Sequence, residues 1–143
     1  HSWRCALYVK YETGFFGMIP IAWEGHSSFR IRDLKEVDGW YDISGCKLQV
    51  NEWSHYVVSY NAKTETAYAY INGQLVGSMK NVPGNRYAKR IVLGGDVFQP
   101  SFIGKICEVT FYNEIRDHDF VSELHQSYVT RDDFIGFEIG IDK

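Results

Sequence analysis

Several things are scarce in this chain, and each scarcity excludes a class of protein. Methionine occurs twice and proline three times, a composition that speaks against helix stripes, and no low-complexity segment occurs. The three cysteines, Cys5, Cys46 and Cys107, have no C-x-x-C spacing, which argues against a disulfide framework and against a zinc site. They are expected to be small buried hydrophobes, with one disulfide and one spare thiol as the alternative. No apolar run approaches the roughly 20 residues that span a bilayer, and the opening His1-Ser2-Trp3 is not a charged-then-apolar leader. Fifteen Lys and Arg against 18 Asp and Glu leave a net charge of −3, and the cations are scattered. Nucleic acid and membrane insertion are therefore not expected. No repeat of 20 to 50 residues occurs either, which removes solenoids and propellers.

What is present suits a pleated sheet. Aromatics make up 16% of the 143 residues and hydrophobic residues 45%, enough for one domain with one core over residues 1–143, read as a soluble piece of a larger protein. Residues 3–10 alternate Trp3, Cys5, Leu7 and Val9 against Arg4, Ala6, Tyr8 and Lys10. Residues 15–23 are apolar almost throughout, with Gly17 and Pro20 as bulge or edge markers. Residues 29–32 form a short strand, and 33–45 read as a loop or irregular strand pair. Residues 53–60 and 66–72 are strands joined by Asn61-Ala62-Lys63-Thr64, and Asn72-Gly73 turns tightly into a third at 75–79. A strand at 91–93 stops at Gly94-Gly95-Asp96, and residues 102–112 alternate again. Only 117–128 has helical spacing, with Asp117 as the cap. The predicted fold class is all-β, an antiparallel sandwich of at least ten strands with one short helix.

From residue 53 onward the features come in a specific order: W-S-H-Y-V-V-S-Y-N, A-Y-I-N-G-Q-L-V-G, I-V-L-G-G-D and F-I-G-K-I-C-E-V-T-F-Y-N, then an amphipathic stretch ending at Leu124. In this the chain resembles the laminin-G-like domains of the concanavalin A-like lectin and glucanase superfamily. The resemblance covers residues 53–124 and, through Tyr8-Val9-Lys10, residues 3–10. It implies a jelly-roll sandwich, an architecture that hosts carbohydrate-binding modules, adhesion domains and glucanases alike. It also implies a structural calcium ion (Ca2+), with Asp96 as the expected metal ligand. In the family a strand or two usually precedes the segment matching residues 3–10. The tail at 133–142 is expected to supply a strand to the sheet edge in their place.

The superfamily's glucanases need paired carboxylates on one strand face, about 5 to 5.5 Å apart in retaining enzymes. Residues 102–112 carry only Glu108, while Glu138 and Asp142 are separated by Ile and Gly and read as solvated charges. His26, Ser27 and Ser28 lack a nucleophile elbow. Asp117-His118-Asp119, at a helix start, reads as a cap rather than a metal site. The chain is accordingly expected not to be an enzyme.

Sugar rings present an apolar face and a rim of hydroxyls, so their sites combine exposed aromatics with fixed polar groups. Two patches qualify. If Tyr60 opposes Glu65, then His55, Tyr68 and Tyr70 share an outer sheet face, which Tyr8 with Arg4 and Lys10 extends if the first strand lies in the same sheet, as the resemblance implies. The second patch lies in the irregular stretch, where Trp40 and Tyr41 are flanked by Asp38 and Asp42, with Arg30 or Arg32 as donor. A ligand touching Trp40 is favoured, because indole offers the larger stacking surface. Trp23, Tyr87 and Phe98 are weaker loop aromatics, and Trp53 is expected to be a buried structural residue. The function expected is a non-catalytic, lectin-like carbohydrate-binding module for oligo- or polysaccharide. It is expected outside the cell or at its surface, attached to other domains. The alternatives are a protein-binding adhesion domain of laminin-G type and, further off, a diverged glucanase.

Overall fold

The computed structural model describes residues 3–48, 51–83 and 87–130. Its strands are β1 (Leu7–Tyr11), β2 (Gly14–Ile19), β3 (His26–Asp33), β4 (Trp40–Lys47), β5 (Tyr56–Asn61), β6 (Thr66–Ile71), β7 (Gln74–Met79) and β8 (Ala88–Leu93). All pairings are antiparallel, in a five-stranded sheet of order β4-β3-β2-β1-β8 and a three-stranded sheet of order β5-β6-β7. The two sheets meet where β4 packs on β6 and β7.

The core follows from alternation. Leu7, Val9, Phe16, Met18, Phe29, Ile31, Tyr41 and Ile43 point inward from the larger sheet and meet Tyr56, Val58, Tyr60, Ala67, Ala69, Ile71 and Val76 from the smaller one. Small alanines on β6 opposite the aromatics let the two faces interdigitate. Asn72 and Gly73 take φ of 51° and 76°, the pair of positive values that a type I′ turn requires. In the β5–β6 hairpin Ser59 opposes Tyr68 and Tyr60 opposes Ala67, two residues from the expected register. Because a slip of two preserves sidedness, the expected inward and outward faces are correct. The loop itself moves one residue on, since Asn61 Oδ1 accepts from the amides of Lys63 and Thr64 and Glu65 takes a positive φ.

Several expectations need correction. Eight strands, not ten or more, occur among the described residues. Residues 40–47 are a strand, in regular register from Trp40 to Ser44, where Trp40 and Asp42 pair across to Arg32 and Arg30, and with a register shift between Ser44 and Lys47. The run at 102–112 alternates in sequence yet joins no ladder; Glu108 sits at φ 44°, which breaks an extended path. Trp53 precedes β5 and is 58% exposed, so it is not a core residue. Cys5 does not share the inward face with Leu7 and Val9; Trp3 has φ 37°, the regular strand begins only at Leu7, and Cys5 packs with Tyr8 instead. The tail at 133–142, with Glu138 and Asp142, lies outside the described residues.

The helical expectation holds: α1 (His118–Val129) starts from Asp117, whose side chain accepts from the Phe120 amide at 2.9 Å. The helix lies against the outer face of the three-stranded sheet. Val121 is fully buried, and Ser59 Oγ donates to the carbonyl of Arg116 just before the helix.

Candidate functional site

That helix decides the fate of the first expected patch. His118 stacks on Tyr70, His125 stacks on His55 at 5.8 Å, and Tyr128 meets His55 edge-on at 5.1 Å. Tyr70 is left 4% exposed. Burial pushes the Tyr70 phenol up, with smaller contributions from Tyr68 and Asp117. Burial also holds the His55 imidazole below its ordinary value, with His125 adding to the effect and Glu108 opposing it. His55, Tyr68 and Tyr70 do share an outer face, as expected, but on the sheet opposite Tyr8; His55 and Tyr70 are covered by α1 and are not an open sugar platform.

The outer face of the five-stranded sheet is different. The registers align Tyr8 with Gly17, Gly17 with Arg30 and Arg30 with Asp42. A parallel row aligns Lys10, Phe15, Arg32 and Trp40. Gly17 matters here because a Cβ at that position would meet Cys5 Sγ at 3.1 Å; without one, the thiol settles over the sheet beside Tyr8. A cleft of about 220 Å³ results, walled by Trp3, Phe15, Ile19, Trp40 and Phe98, with Cys5 and Tyr8 low in it and Arg30, Asp96 and Gln99 as its polar members.

Its walls are ordered by rings. Phe15 touches Tyr8, Trp40 and Phe98 at centroid distances of 5.4, 6.0 and 5.6 Å. Phe98 comes from the loop after β8, which the Phe102 amide closes by donating to Gly94 O. Asp96 shapes that loop, its Oδ1 accepting from the amides of Phe98 and Gln99 at 2.6 and 2.7 Å. Arg30 donates through two nitrogens to the two oxygens of Asp42, both at 2.7 Å. Its guanidinium also lies 4.6 Å from the Trp3 ring centroid and 4.9 Å from that of Trp40. A charge-assisted bidentate pair held between two indoles is a rigid polar element. Trp40 remains 50% exposed and Phe98 64%.

The floor is the most telling part. Tyr8 is 1% exposed, and among the described residues its hydroxyl has no hydrogen-bond partner. Burial pushes the phenol up, with Asp96 and Cys5 contributing less. The Cys5 thiol is likewise pushed up, chiefly by burial and then by Asp96. Both groups therefore keep their protons and can serve only as neutral donors or acceptors.

The expected residues thus divide. Tyr8, Arg30, Trp40 and Asp42 come together, with Tyr8 beneath the aromatics rather than outside them. Tyr41, one residue out of phase, turns to the core side and donates its hydroxyl to Glu36 Oε2. Trp3, Phe15 and Gln99 were not anticipated as site residues, and Phe98 was expected only as a weaker loop aromatic. No three His, Cys, Asp or Glu side chains converge on one point among the described residues. Asp96, the expected calcium ligand, has its Oδ1 engaged by backbone amides. Asp42 and Asp96, the carboxylates at the cleft, are both held in hydrogen bonds.

A family model described as the concanavalin A-like lectin/glucanases superfamily matches residues 2–122. No curated protein and no solved structure matches the chain.

Proposed function

The chain belongs to the concanavalin A-like lectin/glucanase superfamily, and on that premise we propose that it is a non-catalytic carbohydrate-binding module whose site is the cleft on the outer face of the five-stranded sheet. The supporting observation is the combination of half-exposed Trp40 and Phe98, the fixed Arg30–Asp42 pair and the unpartnered Tyr8 hydroxyl within one cleft. Stacking needs an aromatic that stays put, and a rim of sugar hydroxyls needs donors and acceptors already in place. The cleft has both. Its carboxylates are engaged by Arg30 and by backbone amides, which supports binding over acid–base chemistry. An extracellular or cell-surface setting, as one part of a larger protein, fits this role.

Titration of soluble oligosaccharides followed by tryptophan fluorescence tests the reading. Affinity in the micromolar to millimolar range is expected, about 4 to 8 kcal/mol, with loss in Trp40→Ala and Phe98→Ala and no release of reducing sugar. Trp40→Ala and Phe98→Ala proteins that bind as the parent does would displace the site. Absence of any glycan binding would favour the protein-binding adhesion reading, and turnover of a β-glucan would favour the glucanase one.

A further inference from the structure

The aromatic cleft continues into a row of cations that the fold assembles from strands far apart in sequence. Arg90 on β8 opposes Lys10 on β1, Lys10 opposes Phe15 on β2, Phe15 opposes Arg32 on β3, and Arg32 opposes Trp40 on β4. Residues in such register share one face, so the line reads cation, cation, ring, cation, ring from one edge of the sheet to the other. At about 4.8 Å per strand it is roughly 20 Å long.

The cations of this line take no part in the ion pairs around them. Of the nearby carboxylates, Asp42 pairs with Arg30, Glu12 of the β1–β2 turn with Lys89, and Asp33 Oδ1 accepts from the Lys35 amide. Among the described residues none lies within ion-pair distance of Lys10, Arg32 or Arg90. Arg32 is held in place by the carbonyls of Asp33 and Glu36 at 2.7 and 3.2 Å, and its guanidinium sits 4.8 Å from the Trp40 ring centroid. Its position is fixed without its charge being cancelled. A neutral glycan could take only hydrogen bonds from these three cations, whereas a chain bearing acid groups would gain charge attraction at each as well.

We infer that the ligand is an acidic polysaccharide, lying across the strands with its rings against Trp40, Phe15 and Phe98 and its carboxylates or sulfate esters on Lys10, Arg32 and Arg90. This rests on the carbohydrate-binding reading of the same cleft and names its substrate class. The test is calorimetric titration with oligogalacturonates, heparin oligosaccharides and neutral cello-oligosaccharides, at 50 and 200 mM salt. The proteins compared are the parent, a Lys10→Gln/Arg90→Gln double variant and Trp40→Ala, with melting temperatures confirming that each is folded. At least one acidic probe should bind at least fivefold more tightly than the neutral one, weaken with salt, and lose at least fivefold in the double variant. The uronate and sulfated probes separate the two sources of charge. A neutral probe bound as tightly as the acidic ones, unaffected by the double substitution but lost in Trp40→Ala, would overturn the acidic assignment and leave the cleft standing. No glycan binding at all would overturn both.

Discussion

Phenylalanine would fill the space of Tyr8 under Phe15 and Phe98, so the hydroxyl carried there calls for a reason. Buried without a partner among the described residues, it costs on the order of 1 to 3 kcal/mol of desolvation. Tyr8→Phe is therefore expected to leave the melting temperature unchanged or raise it, while weakening glycan binding. A Tyr8→Phe protein that melts lower and binds normally would show that the hydroxyl serves the fold instead. Phe29 is the contrast, 2% exposed in the middle of the core. Phe29→Ala should cost about 3 to 5 kcal/mol in urea denaturation, and Trp53→Ala clearly less, because that indole is more than half exposed. The residue scale is also where the sequence misleads most. Trp53 opens the segment that best resembles the family, yet a motif position does not reveal how much surface covers it. Trp40 and Phe98 were legible because an aromatic beside Asp and Gly stands out. Trp3 and Phe15 were hidden inside runs that read as ordinary strand.

At the scale of elements, alternation and turn chemistry made β1, β3, β5, β6, β7 and α1 legible, since period-two runs and Asn72-Gly73 carry their own geometry. β4 was not, because its place depends on the Arg30–Asp42 and Arg32–Trp40 pairings with β3, which are contacts between elements. The failure at 102–112 runs the other way, since alternation alone supplies no partner strand. The docking of α1 was equally invisible, and it has a consequence for pH. Burial and His125 hold the His55 imidazole low in the folded state, so the unfolded chain takes up that proton first as pH falls. The contribution is fully present above about pH 6.5, the unfolded value, and is lost as pH drops from there toward the depressed folded value. Urea midpoints measured from pH 8 to pH 5 should fall below about 6.5, and His55→Phe should flatten that part of the profile. The same slope in parent and variant would place the titrating group elsewhere. Asp117→Ala, which removes the cap on this helix, should cost about 1 kcal/mol.

For the whole molecule, the two outer faces have been put to different uses. The three-stranded sheet is closed by α1, with Tyr70 and His55 beneath it, while the five-stranded sheet leaves its face to the Trp40 cleft and the row of cations. Sequence reasoning grouped the sheet-face tyrosines into one patch because family topology suggested that the first strand joins them. Which sheet each strand enters is a pairing outcome, and the chain places β1 with β2 and β8 instead. A core about 10 Å thick separates the faces, and Trp40 and His125 share no ring partner. Substitutions that far apart without common partners add to within about 0.5 kcal/mol. Trp40→Ala and His125→Ala are therefore expected to be additive in urea denaturation, and His125→Ala to leave glycan affinity at the parent level. A coupling well above 0.5 kcal/mol, or glycan affinity that falls in His125→Ala, would mean that the helix sets the geometry of the cleft through the core. The division of the two faces into a closed one and a binding one would then have to be given up.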